Sequence, residues 1–561
     1  MNTVAPSSLG SVEDSASTGK RIYRLNRPHP DRWGVLVGGV ALLISLPLLA
    51  ILVYLTQEGP EWSHLVETVL PTYVSNTLIL VTGVSLVAIL FSVLPAYLVS
   101  YYEFPGRRLF QWALILPLAL PTYVAAFVFF EGPEAAIPFL IWIRSEFGVD
   151  AFLAWEKVIR YGLLILMMGA VLSPYLFVAC RATFQQQTRS AIEAARCLGM
   201  NSRGIFFRIA LPLARPAMVG GLALIVMEVI NDYGAVHFFG VPTLTEGIFR
   251  TWFGMGDRVS ALRLAGMVMV AIALLLILER QLRGKARFEA STTSSGLCRL
   301  IPLSRGKGAL AILICLVPLV IGFIYPVARL SQWAALDLMS DRPAVLAASA
   351  GLIRGLVLAL GVSVGASLVA AVFFYAVRLR GNGWRLGGAR LAGLGYATPG
   401  AVIALGVLAV LGAWDRWAGD SFLPLLSGTL FAIGFAYFVR FFAIPLQFSR
   451  SGLSRIGRPI EEAARLSGKG PAATFGRIHL PLLRGPLIAA GMLLFVDILK
   501  ELPLTLILRP ANFETLATSA YSLAKEARLQ ACAVPSLLIV IAGGIGLMIM
   551  NRWMSSDSSH D

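Results

Sequence analysis

The chain has 561 residues, 57% of them hydrophobic and only 14% charged, against roughly 25% charged in ordinary soluble domains. Its formal net charge is +16, but no soluble domain is present to carry a basic face, which excludes a nucleic-acid-binding protein. A mean hydropathy of +0.75 fits a polytopic helical membrane protein.

Residues 1–32 are polar and Ser-rich and close on Arg21, Arg24, Arg27 and Arg32, the composition of a disordered cytoplasmic tail. The apolar run 33–57 is too long for a cleaved signal and reads as an uncleaved first span. Runs 68–102, 109–130 and 161–180 follow. About 20 apolar residues cross a hydrocarbon core as a helix, so each run reaches the required length. Run 68–102 is long for one span, and its first part, around Pro71, is expected to be an outer segment. Run 216–227 is apolar for only 12 residues before Glu228, and run 264–278 is short but flanked by Arg263, Glu279 and Arg280.

A basic linker, 284–307, leads to a second series: 308–328, 355–377, 391–414, 421–439, 485–496 (ending at Asp497) and 529–551. The reading is all-α, with twelve transmembrane helices in two domains, 33–283 and 308–552. Six spans per half make the repeat parallel, because both halves enter the membrane in the same direction. Basic residues crowd the loop after the fourth span (Arg181 to Arg215), the linker, and the loop from Arg450 to Arg484. Acidic residues such as Glu58, Glu61, Glu131 and Asp150 crowd the opposite loops. The positive-inside rule then places both termini in the cytoplasm. The five cysteines have no paired spacing and the five histidines are scattered, so neither a disulfide framework nor a metal cluster is indicated.

One passage occurs twice. "EAARCLGMNSRGIFFRIALP" begins at Glu193 and "EAARLSGKGPAATFGRIHLP" at Glu462, an offset of 269 (462 − 193). Each copy, about 188–212 and 457–481, reads as helix, sharp turn and second short helix. Ser190 and Glu193 form a capping box in the first, and Pro459 suits a first helical turn in the second. Gly199 and Gly468 suit the left-handed residue that ends a helix. Asn201 or Ser202, and Gly470-Pro471, restart the chain toward Leu-Pro at the membrane boundary. A single capped helix in a cytoplasmic loop would carry little meaning. Two copies with the same spacing, punctuated by different residues, argue for a required shape, and the small Ala pair suits close approach by another protein.

Near the ends of the fifth and eleventh spans lie further matched residues. Glu228 and Asp232 are four apart and are expected on one helix face, with Asn231 beside them. Asp497 and Glu501 hold the equivalent places, with Lys500 between. A charge in the centre of a membrane helix costs roughly 2.5–3.5 kcal/mol on insertion scales, so such residues face a cavity or a partner. Two readings stand: the four acids line a path, or they pair structurally, Asp497 with Lys500 and another carboxylate with Arg440.

On its paired loops the sequence resembles the permease subunits of binding-protein-dependent ABC importers. The stretches "MEVINDYGAVHFFGVPTLTEGIFRTWF" from Met227 and "KELPLTLILRP" from Lys500 make it most similar to the fused ferric iron permeases, with thiamine, polyamine and phosphonate permeases as close relatives. The resemblance implies the type I ABC importer transmembrane fold in the bacterial inner membrane, and alternating access driven by two copies of an ATPase subunit. It also implies a periplasmic or extracellular binding protein, surrounding lipid and no nucleic acid. By the same resemblance the ATPase docks on Glu193, Ala194, Ala195, Gly199, Ile209 and Pro212, and on Glu462, Ala463, Ala464, Gly468, Ile478 and Pro481. Ser467 and Lys469 around the second glycine depart mildly from the pattern. No phosphate-binding loop occurs, since none of the Gly-Lys pairs (19–20, 284–285, 306–307, 468–469) is followed by Ser or Thr. The chain is thus expected to bind no cofactor, with ATP and Mg held by the partner ATPase. An ion-coupled secondary transporter would share the spans and the acids but has no use for matched docking loops. An intramembrane enzyme would need more than His237.

Overall fold

The computed structural model describes residues 32–130, 136–186, 194–283, 300–340, 344–379, 383–419 and 425–556. The expected N-terminal tail, the Ser190–Glu193 capping box and most of the linker lie outside these residues. Among the described residues, ten helices are long and apolar enough to span a membrane, and two sharply bent pairs bring the number to twelve.

The first half contains α1 (Arg32–Tyr54), α2 (Trp62–Tyr101), α3 (Thr122–Phe129), α4 (Ile137–Gln186), α5 (Ser202–Asn231) and α6 (Arg258–Arg283). The second contains α7 (Arg305–Leu338), α8 (Ala344–Leu379), α9 (Gly400–Ala418), α10 (Leu430–Phe441, continued after a 48° bend by Ala443–Arg455), α11 (Pro471–Leu499) and α12 (Leu529–Ser556). The segment around Pro71, expected to be an outer segment, is the first part of the 40-residue α2 and continuous with the rest of it. One short parallel strand pair, Tyr102–Glu103 with Ile301–Pro302, ties the end of the linker to the end of α2.

Proline shapes the long helices in a regular way. Helical turns widened to π geometry occupy Leu65–Val69, Phe206–Ala210, Val320–Ile324 and Phe475–His479, and each ends two residues before a proline: Pro71, Pro212, Pro326 and Pro481. Proline offers no amide and crowds the carbonyl four residues earlier, so a widened turn lets the helix continue past it. The Leu-Pro of each repeated passage therefore carries its second helix unbroken into α5 and α11.

The repeat is not uniform. The 3-10 turns Leu116–Ala119 and Leu394–Ala397, and the helix starts Thr122 and Gly400, are offset by 278 (400 − 122), against 269 in the loops. The first half thus holds nine more residues between α3 and the end of α4, where α4 starts early and kinks at Gly148 (φ 86°). α1 packs chiefly across on the second half, along α9, Gly383–Ala392 and α8. α7 returns the exchange, lying against α2 and α4 while its outer end runs along α12.

Gly406 permits the α1–α9 crossing: a Cβ there would sit 2.4 Å from the Pro47 carbonyl oxygen. Gly406→Ala should cost about 1–3 kcal/mol by overpacking. The thermal midpoint of the detergent-solubilised protein should fall below that of wild type and of Gly361→Ala, whose site is open for 4 Å. Equal midpoints would show that this crossing does not hold α1 in place.

Candidate functional site

The repeated loops adopt the same terminus twice. Gly199 (φ 79°) and Gly468 (φ 72°) are left-handed. Met200 N donates to Ala195 O and Lys469 N to Ala464 O, both at 3.0 Å, while Gly199 N and Gly468 N reach the Arg196 and Arg465 carbonyls. This pair of bonds closes the last carbonyls of each helix as a Schellman motif. Asn201 caps the next helix, its side chain accepting from Gly204 N at 2.8 Å, whereas Gly470 and Pro471 serve in the second copy.

Surface pattern is duplicated as well. Ala195 and Ala464 are buried, Ala194 and Ala463 exposed, Ile209 and Ile478 half-buried, Pro212 and Pro481 exposed. Glu462 is exposed, and Glu193 lies outside the described residues. Two residues absent from the sequence reading, Leu198 and Leu466, project almost fully into solvent at 84% and 90% exposure beside the turns. They do not share the 269-residue offset, so alignment of the two copies could not pair them.

The loops are anchored differently. Tyr101 donates to the Phe184 carbonyl in the first half. At the equivalent carbonyl, Leu453, the second half uses Arg378, which also donates to Ile456 O at 2.6 Å and pairs with Glu461 at 2.8 Å. Glu461 in turn faces the fully buried His479 at 3.4 Å. Tyr375 donates to the Pro471 carbonyl at 3.0 Å, so α8 grips the second loop at both ends.

The four membrane acids converge on one cavity between the halves, lined also by Tyr175, Tyr396, Arg440 and Lys500. The expected shared helix face is corrected here. α5 ends at Asn231, and Asp232 is extended (φ −70°, ψ 120°) beyond it. α11 likewise ends at Leu499, before Glu501. Each outlying carboxylate caps the short helix that follows: Asp232 accepts from Ala235 N at 2.8 Å, Glu501 from Leu504 N at 3.1 Å. Glu228 and Asp497 remain on the helices.

Three of the acids are tied. Asp232 accepts from the Thr122 hydroxyl, Glu501 pairs with Arg440 at 3.2 Å, and Asp497 with Lys500 at 2.7 Å. Glu228 makes no hydrogen bond or ion pair among the described residues, and Arg440 and Lys500 act on its carboxyl group across the cavity. Asn231 spans the two halves, accepting from Gly400 N at 2.9 Å at the start of α9. Gly400 fits because Arg440 occupies the space its side chain would need: a Cβ there would meet the guanidinium at 1.9 Å. Among the described residues no three His, Cys, Asp or Glu side chains form a metal-holding group.

Two like loops, ten to twelve candidate spans among the described residues and a charged cavity between two like halves fit a membrane permease. Residues 88–283 match the family described as binding-protein-dependent transport system inner membrane component, and the chain belongs to that family. A probable sulfate transport system permease of Nephroselmis olivacea is 30% identical over 234 residues, covering 41% of this chain and 78% of that protein. The Fe(3+)-transport system permease protein FbpB 2 of Haemophilus influenzae is 27% identical over 526 residues, covering 92% and 96%. A probable molybdenum ABC transporter permease of Haloferax volcanii is 28% identical over 270 residues, covering 46% of this chain but 94% of its own. Half of this chain thus corresponds to one whole permease of the shorter kind. The protein is a polytopic inner-membrane permease subunit, the non-catalytic part of its importer.

Since nothing lies within 4 Å of a Cβ at Gly199 or Gly468, a substitution there is penalised by φ alone, at about 1–3 kcal/mol each. Gly199→Val with Gly468→Val should leave membrane insertion intact while lowering ATPase co-purification and transport at least tenfold. Unchanged co-purification and uptake would remove these turns from the docking surface.

Proposed function

We propose that this chain carries ferric iron inward through the inner membrane, driven by two copies of an ATPase seated on the two repeated loops and supplied by an external binding protein. The observation behind the cargo is the likeness to an Fe(3+)-transport permease across both halves, where the sulfate and molybdenum relatives align with less than half the chain. Both termini, the linker and the two loops lie in the cytoplasm, and the chain divides into domains at 33–283 and 308–552.

Closure of the ATPases would draw the loops at 194–212 and 457–481 together. Each loop continues into α5 or α11 without interruption, so its motion is passed to the helix that ends at the cavity. The Asn231–Gly400 bond lies between the halves and must break or shift as they rock. Glu228 is the acid left to meet a passing cation, while Asp232, Asp497 and Glu501 hold the walls. A path residue should not bind its cargo tightly, and one unpaired carboxylate suits passage better than a full ligand set.

The experiment is iron uptake normalised to intact complex in vesicles, with ATP and the binding protein present. Glu228→Gln should assemble normally and lose at least tenfold of its flux. Asp232→Asn should weaken the cap and the Thr122 bond, and Asp497→Asn should leave Lys500 unpaired, so both should lower the amount of folded protein first. Full flux from Glu228→Gln would remove it from the path. Uptake driven by a proton gradient without ATP or binding protein would overturn the importer reading in favour of an ion-coupled carrier.

A further inference from the structure

Past the breaks in α5 and α11, at the end opposite the loops, a second cavity of about 600 Å³ opens between the halves, within the roughly 300–1,000 Å³ typical of small-ligand sites. It shares Tyr233 with the inner cavity, so the two are adjacent. Its charged lining is Arg250, Arg509, Lys525 and Glu246, and the Tyr233 and Tyr521 hydroxyls stand 3.4 Å apart on its wall. Arg509 is matched by Glu514, and Glu246 lies 3.8 Å from His237. Arg250 and Lys525 form no ion pair among the described residues and both are exposed, although Arg250 also stands beside the Tyr73 hydroxyl.

Several other cations at this end of the molecule are engaged by a carboxylate or an aromatic ring. Arg160 pairs with Glu156, Arg263 pairs with Glu58 and covers Trp62, and Arg258 and Arg329 cover Trp252 and Trp333. Nor does the repeat account for the two cations. The capping threonines Thr243 and Thr515 set the local offset at 272 (515 − 243), which puts Ser522 opposite Arg250 and Phe253 opposite Lys525. Each half has contributed one cation at a different position, and both meet in one cavity beside phenolic donors. Against the one carboxylate of Glu246 the two cations leave the lining net positive, which disfavours a bare trivalent cation and suits an anion that can also accept from the hydroxyls.

We propose that the outer cavity binds a small anion rich in oxygen acceptors, of the carboxylate or phosphate type, and that cargo passes it as a complex with such an anion. The direction of travel rests on the import reading above, but the site itself does not depend on which metal is carried. The test uses the full-length permease with its ATPase in nanodiscs, titrated with radiolabelled citrate and inorganic phosphate. At least one should bind saturably, at least tenfold more weakly in Arg250→Gln/Lys525→Gln, and equally well in Arg416→Gln, an exposed cation at the end of α9 outside the cavity. Co-purified ATPase checks that each variant is folded. Absence of saturable binding, or equal binding by the double variant, overturns the proposal. So does a double variant that still binds both anions but no longer associates with the external binding protein, since the cations would then serve an acidic protein surface. A complex that binds citrate or phosphate as expected but transports no iron loses the ferric reading and keeps the anion site.

Discussion

A helix that starts within a bilayer has backbone N–H groups without a partner in its own first turn, and the centre of this protein is organised by how those groups are satisfied. Asp232 and Glu501 each close the helix that restarts after a break, and Asn231 closes the start of α9. The same carboxylates then fix the neighbouring walls through Thr122 and Arg440. The acids that look most suited to a cation are therefore the ones the fold needs most. Of the four, Glu228 alone is left without a hydrogen bond or an ion pair among the described residues.

The two halves reach the same ends with different chemistry. Where the first half has Thr122 and, at the 269-residue offset of the loops (440 − 269), Val171, the second has Gly400 and Arg440: the loss of a side chain on one helix makes room for a long one from another. A neutral bond to Asp232 is thereby replaced by an ion pair to Glu501. The loop anchors differ in the same sense, a tyrosine hydroxyl in one half and a guanidinium in the other. A duplicated frame has kept its backbone geometry while the charges inside it diverged, which gives the route between the halves a sidedness that a symmetric pair would lack.

Much of this was legible from local signals. Spans follow from apolar length, and the turns at Gly199 and Gly468 follow from glycine in a fixed place after a helix, because both depend on residues close in sequence. Pairing of Lys500 with Asp497 was legible for the same reason, the two being three residues apart across the end of one helix. The helix ends before Asp232 and Glu501 were not, although Gly234 and Pro503 follow each acid by two residues, because the four-residue spacing of the acids matches a continuous helix face. Arg378 and Leu198 escaped notice as well. The first acts through carbonyls more than 70 residues away, and the second lies off the register that relates the two loops. The nine-residue difference in offset hid the match of Thr122 with Gly400 in the same way.

The exchange of first helices between halves also sets a schedule. α1 ends at Tyr54, and its main neighbour, α9, begins at Gly400. At about 5–20 residues per second of synthesis, that interval is roughly 20–70 s. During this time α1 is already inserted, its packing face turned to lipid, with the correct neighbour still unmade. In hydrocarbon there is little hydrophobic penalty for that wait, since lipid tails are as apolar as the partner helix. Joining both halves in one chain also guarantees that the helix which finally arrives comes from the same molecule, so a strand exchange that would otherwise depend on two proteins meeting becomes a matter of one ribosome finishing.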